Sequence, residues 1–244
     1  MNALIFAAGL GTRLKPITDT KPKALVSIGG KTLLEHTVLK LKDAGFDHIV
    51  VNVHHFADQI IEFLRANQNF GIDIRISDER GQLLETGGGI RKAAPLLGDQ
   101  PFLIHNVDIL SDTDVAALYK KHLQSGADAT LLVSKRHSSR ALLFNKQGLL
   151  AAWRNKTTGE VRTPYEDLDL SKLDEFAFSG IHVFSPSLFP LMENYPDKFP
   201  IMDFYLKECA HVELKASVAD HLKLIDVGKL DSIAEAESML AELS

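Results

Sequence analysis

The chain has one cysteine, Cys209, so it can form no internal disulfide. That usage suits a reducing compartment, and a cytoplasmic protein is expected. Cys209 lies in an apolar-periodic stretch and reads as a core residue of a helix rather than a nucleophile. No apolar run approaches the roughly 20 residues needed to cross a bilayer. The N-terminus starts directly on a strand pattern, with no basic leader and no cleavage site. A membrane role is therefore not expected. There is no long basic stripe, and 27 Lys and Arg face 32 Asp and Glu, for a net charge of −5. Nucleic acid is not an expected partner, because such a surface neutralises phosphates with clustered cations. The ten histidines contain neither H-E-x-x-H nor another paired zinc spacing. The adjacent His54 and His55 would face opposite sides of a strand. No internal repeat is present.

The length of 244 residues suits one large α/β domain or two small ones, and a hydrophobic content of 45% supports a sizeable core. Strand and helix signals alternate from the start. Ala3 to Ala8 reads as a buried strand, Thr32 to Ala44 as a helix stopped by Gly45, and His48 to Val53 as a strand. Ala57 to Ala66 is an amphipathic helix and Asp73 to Ser77 a short strand. Gly87-Gly88-Gly89 is expected to open a helix that Pro95 helps to end. Pro101 to His105 is a strand, and Asp112 to Ser125 a helix with Asp112 as its cap. Ala129 to Ser134 is again a strand. This order predicts a parallel sheet covered on both faces. After Arg136 the pattern changes to a hairpin, Ala141 to Phe144 with Leu149 to Trp153, followed by a polar stretch from Asn155 to Asp174. Phe176 to Phe184, Val212 to Ala219 and Leu222 to Val227 read as strands. Met202 to Ala210 and Lys229 to Leu243 read as helices.

The first strand breaks at Gly9 and Gly11 and then presents Arg13, Lys15, Lys21 and Lys23 around Pro16 and Pro22. A strand feeding a glycine-rich loop sets backbone N–H groups against an anion, and cations just beyond suit a polyphosphate. The expected ligand is a nucleoside di- or triphosphate. The loop is not a Walker P-loop, which needs G-K followed by Ser or Thr. It is not a full dinucleotide fingerprint either, because Leu14 stands where the third glycine belongs and the strand ending Val51-Asn52-Val53-His54 lacks a ribose-binding acid.

Gly9, Gly11, Thr12, Arg13, Pro16, Thr18, Pro22 and Lys23 together resemble the signature of the sugar-1-phosphate nucleotidyltransferases. The resemblance continues through GQLLETGGGIRKA, the Asn106-Val107-Asp108 turn, Phe178-Ser179-Gly180-Ile181 and the closing Ile225-Asp226-Val227-Gly228. LETGGGI and the short C-terminus are similar to the uridylyltransferases of N-acetylmuramic acid 1-phosphate. The mannose-1-phosphate guanylyltransferases share much of the pattern. The fold this implies is a Rossmann-like, three-layer α/β domain with a mixed, mostly parallel sheet. It would be one domain over 1–244, with a nucleotide-binding part of about 1–135 and a sugar-binding part of about 136–228. No hexapeptide repeat follows, so the β-helix of bifunctional relatives is not expected, and a monomer or homodimer is.

The resemblance also implies Mg²⁺, a nucleoside triphosphate and a sugar 1-phosphate as cofactor and partners. Ligands in open α/β sheets bind beyond the carboxyl ends of the strands, where Gly9, Asp108 and Asp226 all fall. Asp108 and Asp226 are the expected metal ligands. Arg13 would hold the β- and γ-phosphates, and Lys23 the α-phosphate and the sugar phosphate. The base would lie over the backbone of Ala7, Ala8 and Gly9, with Gly11 and Thr12 completing the loop. Gln82 or Thr86 would read a base edge, and Gly88 would let the ring approach. Glu85, Asn106 and Gly180 are expected on the sugar. Val107 replaces the glycine usual before the first metal-binding Asp. Trp153-Arg154-Asn155-Lys156 occupies the region of the family's usual Glu-Lys-Pro segment. An alternative of another class, a catalytically silent sensor of nucleotide sugars, would lack one of Arg13, Lys23, Asp108 or Asp226, and all are present.

Overall fold

The first strand is apolar on both faces and must be covered on both. The computed structural model, which describes residues 1–243, shows this at β1 (Asn2–Phe6). Ala3 and Ile5 enter one hydrophobic core, and Leu4 enters a second on the other side. The following loop carries single 3₁₀ turns at Thr12–Leu14, Ile17–Asp19 and Lys23–Leu25. A small hairpin, β2 (Ser27–Ile28) with β3 (Lys31–Thr32), leads into α1 (Leu33–Asp43). Thr32 caps α1 by accepting the Glu35 N–H at 3.1 Å, and Gly45, at φ 86°, follows its end. β4 (His48–Val53), α2 (Ala57–Ala66) and β5 (Asp73–Asp78) follow where the periodicity puts them.

The next helix, α3 (Glu85–Leu97), departs from expectation at both ends. It starts at Glu85, ahead of the glycines, because the Phe199 carbonyl accepts the N–H groups of Gly87 and Gly88 at 2.8 and 3.2 Å. Pro95 lies inside it rather than ending it, and the helix runs on to Leu97, which is buried with Ala93 in the second core. β6 (Phe102–Asn106), β7 (Ile109–Ser111) and α4 (Val115–Ser125) come next. The cap of α4 is Asp114, which accepts the Ala117 N–H at 2.9 Å, not Asp112. Asp112 instead accepts the Lys223 N–H at 3.0 Å and ties this turn to the C-terminal region.

The chain continues through β8 (Ala129–Ser134), β9 (Arg140–Phe144), β10 (Leu150–Asn155), β11 (Val161–Arg162) and β12 (Asp174–Phe184). It ends with α5 (Phe189–Met192), α6 (Ile201–Glu208), β13 (Leu214–Val218), β14 (Leu224–Asp226) and α7 (Asp231–Leu243). The stretch from Asn155 to Asp174 is less polar in its role than in its composition. Its Val161, Leu168, Leu170 and Leu173 pack on Ala141, Leu143 and Ala152 as a third, small core.

One mixed sheet runs in the order β11-β10-β9-β12-β6-β1-β4-β5, with β8 paired to β12 and β13 paired to β8. β6, β1, β4 and β5 are parallel, while β12 is antiparallel to β6, β8 and β9. Residues of α1, α2, α4 and α7 cover one face, and residues of α3, α5 and α6 cover the other. This is the expected three-layer, Rossmann-like arrangement. Phe6 pairs with both Asn52 and Asn106, so β1, β4 and β6 end level and their loops share one rim. On β12 the register shifts between Phe178 and His182, around Gly180 at φ 77°. There the strand passes from the parallel half to the β9–β11 hairpin region. No helix among the described residues is long and apolar enough to cross a membrane.

Three buried histidines make the core sensitive to acid. Burial pushes the His182 pKa down to about 3 and the His105 and His122 pKa values down to about 4. His122 lies against the hydroxyls of Thr130 and Ser185, whereas neither ring nitrogen of His182 has a hydrogen-bond partner among the described residues. All three folded values lie below the ordinary value of 6.5, so the unfolded chain binds more protons between that value and the folded ones. Stability in urea should be full above about pH 6.5 and fall with acid by about 1.4 kcal/mol per pH unit for each histidine. His182→Leu should lower that slope by the share of one histidine, and an unchanged slope would exclude His182 as a source of it.

Candidate functional site

The glycine loop is anchored from below by a buried amide. Asn52 Oδ1 accepts the N–H groups of Ala7 and Ala8 at 2.7 and 3.2 Å, and its Nδ2 donates to Glu79 Oε1 at 2.8 Å. Glu79 Oε2 in turn accepts the Leu84 N–H at 3.1 Å. The first N–H groups of the loop therefore face the protein. Those of Gly9, Leu10 and Gly11 have no acceptor among the described residues and are the ones left for an anion. Gly11 needs its φ of 64°, and a Cβ there would meet Thr18 Cγ2 at 2.9 Å and Lys23 Cβ at 3.0 Å. Thr18 donates its hydroxyl to the Gly11 carbonyl at 2.8 Å, which folds the basic segment back over the loop.

That fold-back brings the distant charges together. Lys23, largely buried, forms an ion pair with Asp108 at the end of β6. The Asp108 carbonyl accepts the Val227 N–H at 2.8 Å, and Asp226 pairs with Ile109 across β7 and β14. The Asp226 carboxyl is held above its usual pKa, first by burial and then by the charge of Asp108. Lys23, Arg13 and Arg136 pull the other way. A Cβ on Gly228 would lie 2.7 Å from Arg13 Nη2 and 2.8 Å from Asp226 Oδ1, so the bare glycine lets both side chains approach. Among the described residues no group of three or more His, Cys, Asp or Glu is placed to hold a metal ion. Asp108 and Asp226 fit a hard divalent cation that takes its other ligands from phosphate and water oxygens.

Two compartments meet here. A cavity of about 460 Å³ is lined by Ala7, Ala8, Gly9, Gly11, Thr12 and Arg13, and also by Lys23, Glu85 and Asp108. A second, of about 420 Å³, is lined by Gly180, Trp153, Phe178, His182 and Asp226, and by the exposed Arg136 and Arg140. Phe6, Thr86 and Asn106 line both and form the shared wall.

Most of the expected residues gather at this cleft, and four take other places or tasks. Gln82 is exposed and lines neither cavity. Gly88 is buried against the opposite segment, where a Cβ would meet the Asp197 carbonyl oxygen at 2.2 Å, so its bareness serves packing and not the approach of a base. Thr86 uses its hydroxyl to accept the Ile201 N–H at 2.8 Å, which fixes the start of α6 to the shared wall. Glu85 lines the first compartment and not the second. Asn52, Glu79, Arg136 and Arg140 were not expected at the site from sequence, and Gly228 entered only as the end of the closing motif. A polar residue inside the apolar run of β4 was the available signal for Asn52.

The chain matches the family described as Nucleotidyl transferase over residues 2–242. The N-acetylmuramate alpha-1-phosphate uridylyltransferase of Caulobacter vibrioides is 32% identical over 249 aligned residues, spanning 98% of this chain and 97% of that protein. A protein of the same name from Neisseria meningitidis serogroup B is 45% identical over 120 residues, 49% of this chain and 52% of that one. Among solved structures, HddC from Yersinia pseudotuberculosis complexed with GMP-PN superposes with a TM-score of 0.75 at 25% identity. The superposition covers 98% of this chain and 99% of that one.

Gly228→Ala tests the approach of Arg13 to Asp226. The added methyl should weaken calorimetric binding of a nucleoside triphosphate by about tenfold or more. The melting temperature should move by only a few degrees, because the tip of Arg13 is free to swing away. Unchanged binding would show that Arg13 does not depend on this gap.

Proposed function

We propose, for a chain that belongs to the nucleotidyl transferase family and is a sugar-1-phosphate nucleotidyltransferase, that it moves a uridylyl group from UTP to N-acetylmuramic acid 1-phosphate with Mg²⁺ as cofactor. The observation that carries this reading is the seam between the compartments. There the glycine loop, the end of β6 and the end of β14 bring Arg13, Lys23, Asp108 and Asp226 together. The triphosphate would occupy the first compartment and the sugar the second. A phosphate oxygen of the sugar 1-phosphate forms a bond to the α-phosphorus, and the bond from that phosphorus to the pyrophosphate oxygen breaks. The attacking phosphate is already largely dianionic near neutral pH, so no side chain has to remove a proton.

The chain supplies alignment and charge. Arg13 would hold the β- and γ-phosphates and the departing pyrophosphate. Lys23, beside Asp108, would bridge the α-phosphate and the sugar phosphate. Asp108 and Asp226 would hold the Mg²⁺, which neutralises phosphate charge when bound. The choice of uridylyl rests on likeness to the Caulobacter protein along nearly its whole length. The GMP-PN complex of HddC supports a second reading, with GTP as donor.

Pyrophosphate release with UTP, GTP, CTP, ATP and dTTP against a set of sugar 1-phosphates tests the reading. UTP with N-acetylmuramic acid 1-phosphate should turn over fastest. Faster turnover with GTP would favour the second reading, and no turnover with any pair would reject the activity. Asp108→Asn and Asp226→Asn should each lower kcat by about 10²-fold or more with the fold intact. Near wild-type rates in both would remove them as metal ligands. Arg13→Ala should lower kcat and leave the sugar-phosphate KM nearly unchanged, while Lys23→Ala should lower kcat and raise that KM. Equal, salt-sensitive losses in both variants would mean that the two cations add only general positive potential.

A further inference from the structure

We infer that the second compartment selects a sugar 1-phosphate bearing a carboxylate, and that Arg140, assisted by Arg136, is the residue that recognises it. This deepens the proposed function and rests on its assignment of the sugar to this compartment. Two arginines on the lining of a sugar pocket exceed what a neutral sugar needs. The phosphates already have Arg13 and Lys23, which line the first compartment and not the second. Other arginines of this half are committed: Arg154 pairs with Glu175 at 2.9 Å and Arg162 with Asp203 at 2.8 Å. Arg136 and Arg140 have no carboxylate partner among the described residues. Arg136 spends one donor on the Phe178 carbonyl, at 2.8 Å, and the Arg140 side chain makes no hydrogen bond there. A planar guanidinium with its donors free matches a carboxylate in two-point geometry.

The sheet sets Arg140 on the same face as apolar residues that line the compartment. In the β9–β10 register Arg140 lies opposite Asn155 and Leu142 opposite Trp153, so Arg140, Leu142 and Trp153 share one face. Leu142, Trp153, Phe178 and the neutral His182 line the compartment together with the exposed Arg140. An anion on that apolar surface would be buried without a partner, at high cost. A carboxylate beside Asp226, which also lines the compartment, would be repelled. Arg136 and Arg140 are the cations on this lining that can receive it. Arg136 also acts on the Asp226 carboxyl and lowers its pKa.

The test compares two substrates that differ only in the lactyl ether, N-acetylmuramic acid 1-phosphate and N-acetylglucosamine 1-phosphate, with wild type, Arg140→Gln, Arg140→Lys and Arg136→Gln. In Arg140→Gln the ratio of kcat/KM for the acidic over the neutral sugar should fall by about tenfold or more, mainly through KM. Arg140→Lys should retain part of it, because the charge stays and the fork is lost. Calorimetric binding of both sugar phosphates, run in parallel, gives the same ratio without turnover. Were turnover absent with every donor, the catalytic reading would fail while the binding ratio still judged the pocket. An unchanged ratio in Arg140→Gln, an equal loss for both sugars, or a wild type that prefers the neutral sugar would overturn the inference.

Discussion

The buried amide of Asn52 is the contact on which the rest of the site depends. Its oxygen takes the N–H groups of Ala7 and Ala8, and its nitrogen engages Glu79, which holds the Leu84 N–H at the entry to α3. One side chain on β4 thus links the glycine loop, the end of β5 and the start of α3. Asn52 and Glu79 are both fully enclosed, so each lost partner would leave a buried polar group unsatisfied, at about 1–3 kcal/mol. The parallel register makes this economical in space. Phe6 lies beside Asn52 on one side and Asn106 on the other, so the anchor sits directly under the rim where the charges collect.

Above that anchor the site is a balance of opposed charges. Lys23 and Asp108 neutralise one another in a largely buried pair, while Asp226 has no ion pair among the described residues and holds its proton more tightly than an ordinary carboxyl. Breaking a buried pair is costly, so Lys23 is already held near the place where phosphates would meet. The bare backbone of Gly228 and the left-handed backbone of Gly180 open room at the two sides of this seam. In both cases a methyl group would press on a side chain of the site, on Arg13 and Asp226 at one and on Asn106 at the other.

Much of this was legible along the chain. β1, β4 and β6 could be read because residues buried on both faces leave continuous apolar runs. The glycines of α3 could not be read. Gly88 resembles a residue bared for a ligand, yet it is bared for the segment around Asp197 and Phe199, more than a hundred positions away in sequence. Asp112 failed as a cap for a similar reason, since the backbone of Lys223 claims its carboxylate. Pro95 failed as a stop because burial of Ala93 and Leu97 carries the helix past it.

By itself the sequence determined the chemistry: a glycine loop, Arg13 and Lys23 in one short segment, and a carboxylate after each of two later strands. Those features are local, and the physics behind them acts over a few residues, through φ preferences and side-chain type. Only the tertiary structure decided which groups meet. It paired Lys23 with Asp108, set Asn52 beneath the loop, turned Gly88 toward a packing contact, and ranged Arg136 and Arg140 along a compartment that Asp226 also lines. These outcomes depend on strand order and register, and hydrogen bonds and ion pairs act at distances of a few ångströms that no spacing along the chain encodes.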